Sequence, residues 1–386
     1  MKLAILTTDF RPQLGGIATL ISDLARACSE KCQVTVLATW TEGAQVFDGQ
    51  QPYRVIRVPG LPLFREAAFI SHLFRLDRME GLDVIACASW FPPGLVAYFM
   101  RLCRKTPYLV WAHGSEIVDD WRTPRRVVKS GLRPLKKLIF EHSAAIAAVS
   151  QYTKTLVLKQ GVSPRLIQVV APAVDLNRFT PSPPSPTAKS RYRKGANHCL
   201  LTVARLDPHK GHAVVLQALA TDLSDIPGIR YLIAGSGPQE LTLRNLASSL
   251  GVEPQVDFLG NVPEEDLPDL YRAADIFVMP SGVLRGRLDY VEGFGIAYLE
   301  ASACGKPIVG GRSGGSEDAV VDGVTGILVN PEDPAAIGWA IRTLIQDPLL
   351  AQRLGKAGRE WVATALNLDS LAERFLALAH GAVPDR

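Results

Sequence analysis

The 386-residue sequence has no uninterrupted apolar stretch approaching the ~20 residues that a membrane-spanning helix needs. The apolar run after Met1 and Lys2 ends at Thr7, so the apolar core of a secretion signal is missing. The six cysteines form no C-x-x-C pair and mostly lie in apolar runs, which is typical of reduced core thiols. These absences predict a cytoplasmic protein whose contact with a membrane, where it has one, is peripheral.

A strong excess of positive charge is also missing. Lys and Arg total 42 against 38 Asp and Glu, and a net charge of +4 does not by itself indicate nucleic-acid binding. The hydrophobic fraction of 47%, the 32 Gly and the 27 Pro are typical of a globular α/β protein with many tight connections. At this length we expect two hydrophobic cores and therefore two domains.

Short apolar runs alternate with helical stretches along both halves of the chain, as the buried strands of parallel sheets do. The runs predicted as strands are 3–7, 34–38, 84–87, 108–111 and 144–149 in the first half, and 200–204, 231–234, 256–259, 276–279 and 307–310 in the second. Each half is therefore predicted to be a Rossmann-like domain.

A segment rich in Pro, Ser and basic residues, 179–198, separates the two series of strands and suits an exposed linker. We therefore predict an N-terminal domain over 1–178, a C-terminal domain over 199–360, and a final helix within 361–386 that packs toward the N-terminal domain. Two such domains are expected to face each other across a deep cleft, with ligands at the carboxyl ends of both sheets.

Two cations follow the first strand of the second half. Arg205 comes directly after that strand, and Lys210 lies five residues later beside a helix start. Positioned Arg and Lys donors stabilise the negative charge that develops on a departing diphosphate, although solvated surface cations are the alternative. The turn at 235–238, Gly-Ser-Gly-Pro, is compatible with a phosphate site or with a tight turn alone.

The segment 292–300 carries the most specific pattern in the chain. Glu292 and Glu300 are eight positions apart across a Gly-rich loop that enters a helix. Glu300 can reach a ribose diol from that helix, and Glu292 can accept hydrogen bonds from sugar hydroxyls. The N–H groups of residues 294–297 at the helix entrance are candidates for phosphate contacts.

A second Gly-rich loop, Gly15-Gly16, follows the first strand and precedes a helix. Its backbone N–H groups are further candidates for a phosphate contact, with a plain turn as the equal alternative. The spacing is not the G-x-G-x-x-G of a dinucleotide site, which disfavours an NAD enzyme.

These motifs, in this order, resemble those of the family 4 glycosyltransferases of GT-B fold: Gly15-Gly16, His113-Gly114-Ser115-Glu116, the Arg205 and Lys210 pair, and Glu292 with Glu300. Ser313-Gly314-Gly315 and the segment 322–326 also resemble the family, whereas Glu317-Asp318 stands where Pro-Glu is common. The segments Thr8 to Pro12 and Arg285 to Glu300 look most like GDP-mannose-dependent mannosyltransferases, including the phosphatidylinositol mannosyltransferases.

The resemblance implies a retaining hexosyltransferase, with GDP-mannose as the favoured donor and a UDP- or ADP-sugar as the alternative. It implies that Arg205 and Lys210 hold the diphosphate, Glu300 the ribose, Glu292 the donor sugar hydroxyls, and His113 the sugar near the reacting carbon. Further donor contacts are expected from Gly15, Gly16, Val262, Phe294, Gly295, Ile296 and Ala297.

The mechanism usually proposed for the family is front-face attack, in which the leaving phosphate oxygen accepts the acceptor's proton. No protein nucleophile is then needed. The chain has no Asp-x-Asp motif, which is consistent with Arg and Lys neutralising the phosphates, so we expect no metal and no other cofactor.

The acceptor is expected to be a lipid, a saccharide or a small molecule. Asp9 and Tyr152 are candidates for binding it, although Asp9 can instead cap a turn and Ser150 can cap the helix that carries Tyr152. Residues 122–137 hold seven cations and no acid, a face that suits anionic lipid or plain solvation. These cations are Arg122, Arg125, Arg126, Lys129, Arg133, Lys136 and Lys137.

A different enzyme class remains open on the same fold, such as a nucleotide-sugar epimerase or a glycogen-type phosphorylase. A phosphorylase would need a lysine-linked pyridoxal site, which the sequence does not identify. A non-catalytic nucleotide-sugar-binding regulatory subunit is the alternative from another class, and the intact set of charged residues argues against it.

Overall fold

The computed structural model describes residues 1–118, 131–283 and 291–383. The chain folds into two compact units. Met1–Ala173 and the C-terminal segment from Leu368 form the first, and Val174–Asn367 form the second. Each unit contains one parallel sheet whose strands are connected through helices.

The first sheet has seven strands in the order β3-β2-β1-β4-β5-β6-β7. Its elements are β1 Lys2–Thr7, α1 Gly16–Ser29, β2 Gln33–Thr39, α2 Ala44–Asp48, β3 Arg54–Val58, α3 Phe64–Glu80, β4 Val84–Cys87, α4 Pro93–Arg104, β5 Tyr108–Ala112, α5 Arg133–Glu141, β6 Ala145–Ala148, α6 Gln151–Leu158 and β7 Ile167–Val169. Strand order reverses between β1 and β4, where Leu3 pairs with Val34 on one side and Val84 on the other.

The central strands of the first sheet are apolar on both faces because helices cover them. In β1, Leu3, Ala4, Ile5 and Leu6 are all buried. Helix α1 buries residues at 18, 21, 25 and 28, the spacing that places side chains on one helical face. The sheet is therefore sandwiched, as parallel sheets are.

The second sheet has six strands in the order β10-β9-β8-β11-β12-β13. Its unit contains α7 Pro186–Ala188, β8 His198–Val203, α8 His212–Ala220, β9 Ile229–Ala234, α9 Glu240–Ser249, β10 Val256–Gly260, α10 Leu267–Ala273, β11 Ile276–Met279, α11 Ile296–Ala303, β12 Ile308–Gly311, α12 Ser316–Ala319, β13 Gly326–Val329, α13 Pro334–Gln346 and α14 Pro348–Ala365. Order reverses between β8 and β11, the point at which open α/β sheets bind ligands.

The segment predicted as a linker, 179–198, lies within the second unit. It contains α7, followed by a π-helical turn over Lys189–Arg193. Tyr192 is buried, and the Arg193 guanidinium lies 2.8 Å from the Asp275 carboxylate. Proline at the first turn of a short helix is tolerated, so a Pro-rich composition did not prevent this segment from packing.

The chain ends in α15 Leu368–Ala382, which belongs to the first unit, whereas residues 361–367 fall in the second. The Phe375 ring stacks on Trp111 of β5 with centroids 5.8 Å apart, and Glu373 pairs with Lys31 at 3.2 Å. Aromatic burial thus ties the last helix to the first sheet.

All six cysteines are free, and Cys28, Cys87, Cys199 and Cys304 are buried, while Cys103 is exposed. Within the described ranges, no helix combines the length and the apolar character that crossing a membrane requires.

Candidate functional site

The cations predicted to hold a diphosphate lie at the carboxyl end of β8, beside the reversal of strand order. The chain leaves β8 at Val203, passes Arg205, and forms a 3-10 turn over Pro208–Lys210 before α8 begins. The Arg205 side chain is 72% exposed and its Nε lies 3.4 Å from the Asp207 carboxylate. Arg205 can therefore reach a ligand without first being uncovered.

Lys210 and Glu292, predicted to serve different parts of the donor, contact each other. Lys210 Nζ donates to Glu292 Oε2 at 2.5 Å, and Ser281 Oγ donates to the same oxygen at 3.3 Å. Ser281 follows β11 and is fully buried. The carboxyl ends of β8 and β11 therefore meet at this carboxylate.

Opposing effects set the charge of Glu292. Burial alone would raise the pKa of this carboxyl, but the Lys210 ammonium opposes it. With smaller contributions from His209 and Ser281, the pKa falls below its ordinary value. Glu292 is thus an ionised acceptor whose remaining lone pairs suit sugar hydroxyls.

The amino end of α11 lies directly beside the Glu292 carboxyl. Gly295 caps this helix with φ +92, and a Cβ there would meet the Tyr298 ring at 2.5 Å and the Glu292 carboxyl carbon at 3.5 Å. The first N–H groups of a helix have no earlier turn to bond, and Ile296 and Ala297 provide them here. An anion is favoured at this position by the helix dipole.

A second loop supports the backbone around Glu292. The Gly315 N–H donates to the Glu292 carbonyl at 2.8 Å, and a Cβ at Gly315 would lie 1.9 Å from the Gly293 oxygen. A Cβ at Gly314, whose φ is +61, would lie 2.8 Å from the Glu292 carbonyl oxygen. The Gly-Gly pair of this motif is thus explained by close backbone packing.

The Gly-Ser-Gly-Pro turn at 235–238, for which the sequence left a phosphate site and a tight turn as alternatives, packs against the loop that carries Arg205. A Cβ at Gly235 would lie 2.0 Å from the Ala204 oxygen, and one at Gly237 2.7 Å from the Leu206 nitrogen. The Leu206 N–H donates to the Ser236 carbonyl at 3.0 Å. Because these glycines have no Cβ, the turn packs directly against the backbone on both sides of Arg205. The turn therefore positions the Arg205 backbone.

A buried histidine lies below the same loop. His212 Nε2 is 3.4 Å from the Arg205 carbonyl oxygen, and Nδ1 is 3.4 Å from Tyr231 Oη. Burial, which the backbone contact with Arg205 only partly offsets, lowers the pKa of His212 to about 4. The imidazole is therefore neutral at neutral pH.

Glu300 projects from α11 and is held from a neighbouring helix. Tyr271 Oη, on α10, donates to Glu300 Oε2 at 2.6 Å. Val262, also predicted to contact the donor, lies half-buried in the loop after β10. The structure thus brings Lys210 and Glu292 together, and Glu300 has Tyr271 as its bonded neighbour.

Three of the residues predicted in the first unit follow the carboxyl end of β1. Asp9 Oδ2 accepts from Thr8 Oγ1 at 3.0 Å, and Gln13 Nε2 donates to Asp9 Oδ1 at 3.3 Å. Gly15 and Gly16 are exposed at the start of α1. Gly15 has φ +147 with no atom within 4 Å of an added Cβ, so its conformation, and not crowding, favours glycine.

His113 follows β5 with a defined ring orientation. Its Nε2 lies 2.6 Å from the Ala88 carbonyl oxygen, so Nε2 carries the proton and donates. In the neutral ring Nδ1 is then an acceptor, which suits a substrate hydroxyl. The ring stacks on Trp111 at 6.2 Å.

Glu116 has a structural role that the sequence did not reveal. Its carboxylate accepts from the His113 N–H at 2.5 Å, and its carbonyl accepts from Trp90 Nε1 at 3.1 Å. Glu116 thus closes the loop that begins at His113. A Glu three residues after the His was the available signal, since a side chain at that spacing can reach back to a backbone N–H.

The alternative role of Ser150 is the one observed. Its Oγ accepts from the Thr153 N–H at 2.9 Å, which caps α6. Tyr152 is half-buried on that helix, and burial raises its pKa. Nothing in these contacts assigns Tyr152 to an acceptor.

The predicted basic face is smaller than the sequence indicated. Lys136 is buried and donates from Nζ to the Ile117 carbonyl at 2.7 Å, so it does not belong to a solvated surface. Arg133 and Lys137 are exposed on α5. Arg122, Arg125, Arg126 and Lys129 of this face, and Arg285 of the donor motif, lie outside the described residues.

In the three described ranges, no group of three or more His, Cys, Asp or Glu side chains is arranged as metal ligands would be.

Comparison with known proteins identifies the family. Residues 14–178 match the model described as Glycosyltransferase Family 4, and residues 188–361 match that described as Glycosyl transferases group 1. A GDP-mannose-dependent alpha-(1-6)-phosphatidylinositol monomannoside mannosyltransferase of Mycolicibacterium smegmatis is 32% identical, over 93% of each chain. A D-inositol 3-phosphate glycosyltransferase of Corynebacterium efficiens is 34% identical, over 83% of this chain and 78% of that one.

The fold agrees with this result. An Anabaena protein, HepE, solved in complex with UDP and glucose, superposes with a TM-score of 0.80, 21% identity and coverage of 98% of both chains. The fold is that of the GT-B glycosyltransferases, as predicted. The chain belongs to the family 4 glycosyltransferases and is a hexosyltransferase, which confirms the predicted family and enzyme class.

Proposed function

We propose that the protein transfers mannose from GDP-mannose to a lipid acceptor, with retention of anomeric configuration and without a metal. The observation that carries the proposal is the buried Lys210–Glu292 pair at the amino end of α11, with Arg205 on the same loop. Cations and helix N–H groups supply the stabilisation that a leaving diphosphate requires. Retention and metal independence are inferred from the family resemblance.

GDP-mannose is the preferred donor because relatives at about one-third identity carry GDP-mannose dependence in their names over most of their length. The motifs Thr8 to Pro12 and those around Glu292 favour the same donor. A UDP-sugar is the second candidate, since the similar Anabaena structure contains UDP. An ADP-sugar is the third.

The two charged residues of the pair have complementary roles in this proposal. Lys210 has three N–H donors, of which Glu292 uses one, so others can bind phosphate oxygens. Glu292 accepts from a sugar hydroxyl. The pair thus couples diphosphate binding to sugar orientation, which contributes to rate when both strengthen in the transition state.

A thermal-shift screen of GDP-, UDP- and ADP-sugars tests the donor. A donor that binds only the folded state raises the melting temperature, and we expect the largest rise with GDP-mannose. The control Arg230→Ala should retain the rise, because Arg230 pairs with Asp257 at the start of β9 and β10, away from the carboxyl ends. Lys210→Ala should lose most of it.

The same samples decide between transfer and regulation. Incubation of the selected donor with phosphatidylinositol-containing lipid and excess chelator should yield a mannosylated lipid of retained configuration, detected by NMR. A rise in melting temperature without any product or donor hydrolysis would favour a regulatory subunit. The largest rise with a UDP-sugar would overturn the GDP-mannose assignment.

Peripheral membrane contact through α5 belongs to the same proposal. Arg133 and Lys137 are exposed on this helix, and each cation near an anionic leaflet contributes about 1 kcal/mol. Replacing both with Ala removes about 2 kcal/mol and should lower partitioning onto anionic vesicles about thirtyfold. The matched control replaces Arg353 and Lys356, two exposed cations of α14. Equal partitioning of wild type and the α5 variant would refute the contact.

A further inference from the structure

Glu300 is held by a side chain that no sequence motif singled out. Tyr271 is fully buried on α10, and its hydroxyl lies 2.6 Å from Glu300 Oε2. A phenol that donates to a carboxylate forms a short, charge-assisted hydrogen bond. The orientation of the Glu300 carboxylate is therefore tied to the position of the Tyr271 ring.

The Tyr271 ring is itself fixed by aromatic neighbours from two other parts of the unit. Phe179 contacts it edge-on with centroids 5.7 Å apart, and Phe277 of β11 lies 5.8 Å away. Both neighbours are buried. Such packing leaves the ring few alternative positions, so its hydroxyl is a preorganised donor.

We propose that Tyr271 is a positioning residue that orients the Glu300 carboxylate toward the ribose hydroxyls of the nucleotide donor. The inference rests on the proposed function, in which Glu300 binds that ribose. A carboxylate has about four lone-pair sites, and the Tyr271 bond uses one while fixing the plane of the others. Binding then costs less ordering of the Glu300 side chain.

The proposed positioning should increase the affinity for a nucleotide that carries the ribose 2′-hydroxyl. A hydrogen bond to a charged group is worth on the order of tenfold or more in affinity, so wild type should bind GDP at least about tenfold more tightly than 2′-deoxyGDP. Tyr271→Phe removes only the hydroxyl. This variant should lower that ratio to about threefold or less, because a loosely held carboxylate gains less from the 2′-hydroxyl.

Calorimetric binding of GDP and 2′-deoxyGDP to the full chain tests the proposal. Tyr108→Phe is the matched control, since Tyr108 is also fully buried and donates to a carbonyl oxygen in the first unit. It should keep the wild-type ratio. In a Glu300→Ala background, Tyr271→Phe should have no further effect on the ratio.

The outcomes are distinguishable from failure of the proposed function. No binding of GDP by wild type would contradict the donor assignment itself. If wild type prefers GDP and Tyr271→Phe weakens both ligands equally, Tyr271 has a structural role only and the inference is overturned. Should Tyr271→Phe not fold, Glu300→Asp draws the carboxylate away from Tyr271 while keeping its charge, and an unchanged ratio there would overturn the inference equally.

Discussion

Lys210 and Glu292 form the most informative contact at the residue scale. Their Nζ and Oε2 atoms are 2.5 Å apart, and both side chains are largely buried. Breaking a buried pair costs more than the pair itself contributes, because the remaining charge is left without a partner. The two residues should therefore behave as a unit in stability and in donor binding.

Lys210→Met should reverse the pH dependence that Glu292 gives to stability. In wild type the folded-state pKa of Glu292 lies below its ordinary value near 4.5, so its contribution is present above that pH and lost as the pH falls through the folded-state pKa. Without the ammonium, burial raises the pKa, and the variant should lose stability as the pH rises. In urea unfolding, the free energy of unfolding of the variant should fall relative to that of wild type by about 3 kcal/mol between pH ~4 and pH ~8.

Two further variants check the origin of this difference. Glu292→Gln in the Lys210→Met background should remove the added pH dependence. Arg230→Met should show a smaller change with pH, because Asp257 keeps Lys194 at 2.8 Å. Parallel pH curves for wild type and Lys210→Met would mean that the pair is not a coupled ionic unit.

Several residue roles could not be read from the sequence because they depend on long-range contacts. Tyr271 and Glu300 are 29 positions apart, and Lys136 reaches the carbonyl of Ile117 across 19 positions. A lysine in a basic run gives no local sign that it points inward. Arg205 and Lys210 could be predicted as donor-binding residues because positioned cations suit a diphosphate.

At the element scale, the sequence predicted the central strands and the edge strand β10, and it missed the other three edge strands. The strands β3, β7 and β13 had no counterpart among the predicted strands, and each lies at an edge. An edge strand pairs on one side only and is less buried, so β3 reads Arg-Val-Ile-Arg-Val and lacks a continuous apolar run. This reason applies to β3, whereas β13, Gly-Ile-Leu-Val, is largely buried and only four residues long.

The loops at the reversal of strand order depend on glycine for a different reason from the turns elsewhere. Gly315 has a negative φ that any residue adopts, yet an added Cβ would lie 1.9 Å from the Gly293 oxygen. The sequence motif indicated a family signature there. Only the packed structure shows that the motif supports the backbone of Glu292.

Gly315→Ala should therefore move the Glu292 loop and weaken both stability and donor binding. Overpacking against backbone costs about 1–3 kcal/mol, which urea unfolding can measure, and titration of the donor should show a several-fold weaker affinity. Gly60→Ala is the control, because an added Cβ there meets no atom within 4 Å. Wild-type stability and affinity in Gly315→Ala would show that this loop adapts freely.

At the scale of the whole molecule, the two units share the same architecture. Each unit has a parallel sheet with one reversal of strand order, and predicted site residues follow strands at or near that reversal. Asp9 and His113 follow β1 and β5 in the first unit, whereas Arg205 follows β8 in the second. Alternating strands and helices make this arrangement predictable, since the carboxyl ends of parallel strands lie at one edge of the sheet.

The boundary between the units was less predictable than their architecture. Composition placed a linker at 179–198, but the second unit begins at Val174 and includes that segment. The Arg193–Asp275 pair and buried Tyr192 anchor it. Proline and serine content indicates only the local preference of the backbone, so it could not predict these tertiary contacts.

The central claim is that Arg205 and its neighbours stabilise a leaving diphosphate, and donor hydrolysis by the full chain tests it most directly. Wild type should slowly release mannose from GDP-mannose, and Arg205→Ala should lower that rate about 100-fold or more. Arg191→Ala is the matched control. Arg191 is also exposed, at 61%, and its guanidinium lies 3.3 Å from the Asp266 carboxylate, much as that of Arg205 lies 3.4 Å from Asp207. This variant should keep the wild-type rate, whereas equal rates in Arg205→Ala and wild type would contradict the account.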